Sequence, residues 1–106
     1  MAKFVLLYTG GSEPTSEAEG AAVMQAWIGW FNQLGAAVVD GGNPLTSTVK
    51  SIASDGSVGD GPSGPPVTGY SIIAADSLDA AVALAKGCPH LQAGGAVNVY
   101  ETINMM

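Results

Sequence analysis

The sequence predicts an α+β fold in which an antiparallel sheet carries two helices on one face. Three observations lead there. The segments follow the order strand, helix, strand, hairpin, strand, helix, strand; the strands are mostly short; and no internal repeat or linker divides residues 1–106 into more than one domain.

Lys3 to Thr9, KFVLLYT, is a continuous apolar run rich in β-formers, which predicts a central strand covered on both faces. Gly10 and Gly11 end it. Ser16 with Glu19 three residues on matches a capping box, and Glu17 and Glu19 place negative charge at a helix N-terminus, so a helix is expected from here to Leu34, with Gly35 as terminator. At 100° per residue Val23, Trp27, Trp30 and Leu34 form one stripe, and Met24, Ile28 and Phe31 widen it to an arc of about 160°. That arc is wider than packing on one sheet requires. The aromatic residues in it read as core packing or as ligand-stacking groups, core being the commoner use.

Ala36 to Asp40 is a short β-prone segment ending in the turn string Asp40-Gly41-Gly42-Asn43-Pro44. Thr46 to Ser54 alternates weakly before the hairpin signal Asp55-Gly56, although Ser57 to Gly59 offer little return strand. Asp60 to Pro66, DGPSGPP, is too dense in Pro and Gly for helix or central strand and reads as a surface loop. Val67 to Ala74 returns as a strand with Tyr70, Ile72 and Ala74 on one face and Gly69, Ser71 and Ile73 on the other. Asp76 is a suitable N-cap for a second helix lined by Leu78, Ala81, Val82 and Ala85, which Gly87 and Cys88-Pro89 terminate. The last strand, Ala96 to Ile103, alternates Val97, Val99 and Ile103 against Asn98, Tyr100 and Thr102.

Composition then narrows the partners. Nine Asp or Glu against three Lys, with no Arg, give a net charge of −6, so the phosphate-neutralising patch that nucleic-acid binding needs is missing, and an anionic membrane surface is disfavoured for the same reason. Of the 47% apolar residues, 16 are Ala, and with only 11% charged residues the chain gains from burying a second surface against another copy. A homodimer is therefore expected. FVLLY is too short for a signal-peptide core or membrane span, and the single Cys88 allows no intrachain disulfide; a cytoplasmic location is the expectation.

Across nearly the whole chain, KFVLLY, AWIGWFNQLG, VVDGGNPL, the Asp60-Gly61-Pro62 string, TGYSIIAADSLDAAVALAKGCP and HLQAGGAVNVYE resemble, in order and spacing, the DGPF-domain branch of the YCII-related family. The resemblance implies a ferredoxin-like βαββαβ domain, here with an extra hairpin, whose open sheet face pairs with a second copy into a dimeric α/β barrel. The departures bear on function. Ser63 stands where that branch carries Phe, and Asn98 and Tyr100 stand where it carries an acid and an Arg on the last strand. The catalytic pair proposed for the other branch, a His and an Asp, falls near Met24 and on Cys88, so it is not carried over.

His90 is the only histidine and thus the first candidate for proton transfer, placed after Cys88-Pro89 where a barrel pocket would open; the alternative is a histidine that donates one hydrogen bond to a carbonyl. Asp40 at a strand end is either a general base or an Asx-turn residue. Tyr8, Tyr70 and Tyr100, with Asn98, are candidate ligand-binding residues on three strands, or else fill a dimer interface. Cys88 reads as a buried, inert thiol. One His with one Cys supplies no metal cluster, and no nucleotide-binding glycine string occurs, so neither a metal nor another cofactor is expected. Two functions fit: a pocket for a small neutral or apolar molecule, with His90 or Asp40 as base in a cofactor-independent enzyme, or a non-catalytic ligand-binding or protein-interaction module. Without Arg, a pocket lacks the bidentate clamp that carboxylates favour.

Overall fold

The computed structural model describes residues 1–104. Strands β1 (Ala2–Gly10), β2 (Val38–Asp40), β5 (Val67–Ala75) and β6 (Gly95–Glu101) form one antiparallel sheet in the order β2-β5-β1-β6, while β3 (Lys50–Ile52) and β4 (Val58–Asp60) pair separately. Helices α1 (Glu17–Leu34) and α2 (Leu78–Ala85) follow β1 and β5. This is the ferredoxin-like arrangement, with β1 central as its apolar run requires.

Alternation sorts the sheet into two faces. Phe4, Leu6 and Tyr8 of β1 oppose Ile73, Ser71 and Gly69 of β5, and all six are buried beneath the helices. Val5 and Leu7 oppose Ile72 and Tyr70 on one side and Tyr100 and Asn98 on the other, on the opposite face. The sequence predicts β1 covered on both faces; within one chain only the helix side is covered, and Val5 and Leu7 stay half-exposed. The molecule measures 44 × 43 × 18 Å. Its 18 Å thickness is that of one helix layer on one sheet.

Helix α1 starts where its cap predicts. Ser16 Oγ accepts the Glu19 N–H at 3.1 Å, and the Glu19 carboxylate reaches one residue further back than a standard capping box, accepting from the N–H and hydroxyl of Thr15. Those two bonds hold the Glu19 carboxyl below its ordinary pKa. Of its wide arc only Trp30 is buried, donating from Nε1 to the Leu84 carbonyl of α2 at 3.2 Å; Trp27, Phe31 and Leu34 are half-buried, and Met24 is 65% exposed. The outer part of the arc therefore has no cover from the chain's own sheet.

Several boundaries differ from expectation. Ala36 and Ala37 belong to a 3-10 turn, so β2 has three residues. Helix α2 is capped by Ser77, whose Oγ accepts the Ala80 N–H at 3.1 Å, with Asp76 one position outside. A further one-turn helix, α3 (Pro89–Gln92), absent from the prediction, carries His90; proline suits its first position. Strand β6 ends at Glu101. Val58 to Asp60 do form a return strand, because Asp55 Oδ1 accepts both the N–H and the hydroxyl of Ser57 and closes the turn around Gly56. Asp60 thus ends a strand and pairs with Lys50 at 3.1 Å in full solvent. This hairpin is an arm: Ile52 and Val58 are 74% and 61% exposed. The radius of gyration of 15.2 Å exceeds the roughly 13 Å of a compact chain this long.

Candidate functional site

The arm leaves and rejoins the body at one place. Leu45 N–H donates to the Thr68 carbonyl at 2.9 Å, Pro44 bridges Gly69, and Tyr70 N–H donates to the Asn43 carbonyl at 3.3 Å. Residues 42–45 thereby lie along the start of β5. Gly42 makes this possible: its φ is +77°, and a Cβ there would lie 1.6 Å from the Tyr70 carbonyl oxygen.

Between this strip and α1 lies a cavity of about 410 Å³, within the size range of small-molecule sites. Val23, Met24, Trp27 and Phe31 form the α1 wall; Gly41 to Pro44 form the opposite rim; Tyr8, Thr68, Gly69, Tyr70 and His90 close the remainder. Trp27 is the hub of the aromatic lining, with ring centres 5.2 Å from Tyr8 and 5.7 Å from Phe31. Gly69 carries no side chain to fill the space beside Tyr8. The broad arc read along α1 is explained here: its inner edge packs and its middle lines a cavity.

His90 is anchored through Nε2, 2.8 Å from the Thr9 carbonyl oxygen. A carbonyl has no proton to give, so Nε2 is the donor and, in the neutral ring, Nδ1 carries the bare lone pair. Among the described residues no buried side-chain nitrogen or oxygen lacks a hydrogen-bond partner. Nδ1 makes no bond to protein and so is open to solvent. The ring leans on Tyr8 with centroids 5.4 Å apart.

Beneath the cavity runs a buried polar chain. Tyr8 hydroxyl donates to Ser71 Oγ at 2.7 Å, and Ser71 donates to the Gly41 carbonyl at 2.7 Å. Burial pushes the Tyr8 hydroxyl well above its ordinary 10.0, so Tyr8 acts as a neutral donor. Cys88 adjoins it, buried, and desolvation raises its thiol as well. Both groups stay protonated near neutral pH.

The cavity brings together His90, Tyr8 and Tyr70 of the sequence candidates. Tyr70 also accepts a hydrogen bond from Asn43 Nδ2 at 3.3 Å. Asp40 is exposed and outside the lining, its Oδ1 accepting the Gly42 N–H at 2.8 Å in an Asx turn. Asn98 and Tyr100 lie on the uncovered sheet face, away from Tyr8. Sequence reasoning favoured core packing over ligand stacking for Trp27 and Phe31, which line the cavity, and did not assign Asn43 to a site; the excess width of the helix arc was the available signal. Among the described residues no group of three or more His, Cys, Asp or Glu lies together as a metal site, and no helix is long and apolar enough to cross a membrane.

No curated protein matches the sequence. The family model described as the YCII-related domain matches residues 3–106, and the chain therefore belongs to the YCII-related family.

Proposed function

We propose that this chain is a cytoplasmic homodimer, paired through the uncovered sheet face as a dimeric α/β barrel, in which each copy holds a small uncharged organic molecule against His90. One observation carries the ligand reading. Among the described residues no Asp, Glu, Lys or Arg lines the cavity, whose polar lining includes the His90 imidazole held through Nε2. A carboxylate buried there would lose water without gaining a cation. An uncharged molecule suffers no such loss.

Dimerisation is supported by the alternate residues of β1. Val5 and Leu7, with Ile72, Tyr70 and Tyr100 beside them, form an apolar strip that the chain's own helices leave uncovered. A second copy supplies a matching strip, since a two-fold interface uses the same patch twice.

Binding is favoured over catalysis because acid/base turnover calls for a second group to return the proton, and Asp40 is held in its own turn outside the lining. If the protein turns a substrate over, His90 Nδ1 is the base, and His90→Ala abolishes the activity while Asp40→Asn does not. A thermal-shift screen of matched uncharged and carboxylate compounds tests the binding reading. At a free concentration of about ten times Kd, an uncharged ligand stabilises by about 1.4 kcal/mol, a rise of several degrees in Tm. Preference for the carboxylates, or no shift with either set, contradicts the proposal.

A further inference from the structure

The orientation of the His90 ring is built into the backbone beneath it. An ideal Cβ on Gly95 would sit 2.1 Å from Nε2 and 2.5 Å from Cδ2, and one on Gly11 would sit 2.8 Å from Cε1. The imidazole therefore lies in a socket that side chains at these positions would fill. Gly95 has no positive φ, so its lack of a side chain serves this close approach and not a backbone turn. Gly95 also pairs with Gly10 in the register of β6 on β1, which brings the Thr9 carbonyl within reach of the seated ring. The socket sets the ring position, and the Thr9 carbonyl that the seated ring meets sets the tautomer.

From this geometry we infer that the cavity selects an uncharged aromatic alcohol, a phenol, whose O–H donates to His90 Nδ1 while its ring lies among Tyr8, Trp27 and Phe31, and that Gly95 is the positioning residue for this contact. The inference deepens the binding reading above and rests on it. Nδ1 in the assigned tautomer only accepts, so it rewards a ligand that donates. The edge-to-face and tilted rings around Trp27 favour a flat aromatic body over an aliphatic one. No Asp, Glu, Lys or Arg stands in the lining to pair with a charged ligand.

Three probes of one shape separate the possibilities: 1-naphthol, its methyl ether 1-methoxynaphthalene, and 1-naphthoate. Because His90 is the only histidine, its ring nitrogens give one unambiguous pair of ¹⁵N signals in the intact protein. The free protein is expected to show the Nε2–H form, with the Nδ1 signal moving on addition of 1-naphthol. Affinity for 1-naphthol is expected to exceed that for the ether by about tenfold, the scale of one well-formed buried hydrogen bond, with 1-naphthoate weakest. In His90→Ala and Gly95→Ala the preference for naphthol over ether falls to about twofold or less, with the far-ultraviolet dichroism and melting transition retained as the check on folding. Equal binding of naphthol and ether by the unmodified protein overturns this inference and leaves the binding reading standing. An Nδ1–H tautomer, or preference for trimethylphenylammonium over naphthol, also overturns it. Failure of every probe to bind removes both the inference and the reading beneath it.

Discussion

The two faces of the central sheet are made from adjacent residues of the same strands, yet they end differently. On the helix side Phe4, Leu6, Tyr8, Ser71 and Ile73 are buried, and every buried side-chain polar atom there has a partner. On the other side Val5, Leu7, Ile72 and Tyr100 are comparably apolar and remain partly or largely in water. Strand chemistry alone does not create a core. What completes the first face is the pair of helices, and at its Tyr8 end the covering stops short and leaves a cavity.

The contrast can be broken by substitutions one residue apart. Phe4→Ala is expected to cost about 3–5 kcal/mol in urea unfolding, whereas Val5→Ala, measured at a concentration where the chain is monomeric, costs less than about 1 kcal/mol. Similar losses at both positions would show that the two faces are equally buried. Ser71→Ala tests the polar side of the covered face. It strands the Tyr8 hydroxyl and the Gly41 carbonyl, and a loss of about 1–3 kcal/mol is expected in the same measurement.

A smaller effect, dependent on pH, sharpens the same point. Cys88 and Tyr8 are acids whose folded values lie above the ordinary 9.0 and 10.0, so the folded state holds protons that the unfolded chain releases. Their contribution is fully present below those ordinary values and is lost as pH rises past them. Stability is therefore expected to decline above about pH 9 in the unmodified protein, and less steeply in Cys88→Ala. The same burial makes Cys88 resistant to alkylation at pH 8 unless the chain is first unfolded.

The sequence was informative wherever local chemistry decided the outcome. The Ser16 cap, the central position of β1 and the faces of β5 follow from spacing alone, because caps and alternation are local. Boundaries moved where a neighbour competed. Ser77 displaced Asp76 as a cap because its oxygen, one residue nearer, meets the Ala80 N–H. The return strand of the arm was missed because two hydrogen bonds donated by Ser57 to the Asp55 carboxylate, more than strand propensity, close that turn. The candidate site was legible only in part. His90 and Tyr70 were identifiable as chemistry-bearing groups, but whether Tyr8, Tyr70 and Tyr100 share one cavity depended on strand register, and register turned both Tyr70 and Tyr100 to the far face, Tyr70 meeting the cavity only at its rim beside Asn43. The glycine socket under His90 joins residues 11, 90 and 95 across the sheet. A sequence without its fold offers no signal for that contact.

The central claim is that the two faces have different occupants, a small molecule beside the covered one and a second copy of the chain on the open one. Sedimentation equilibrium of the unmodified protein and of Leu7→Lys at micromolar concentration tests it most directly. The chain mass is 10.6 kDa, so the unmodified protein is expected at twice that mass and Leu7→Lys at that mass, still folded and still stabilised by 1-naphthol. A single-chain mass for the unmodified protein, or a dimer that Leu7→Lys leaves intact, would contradict it.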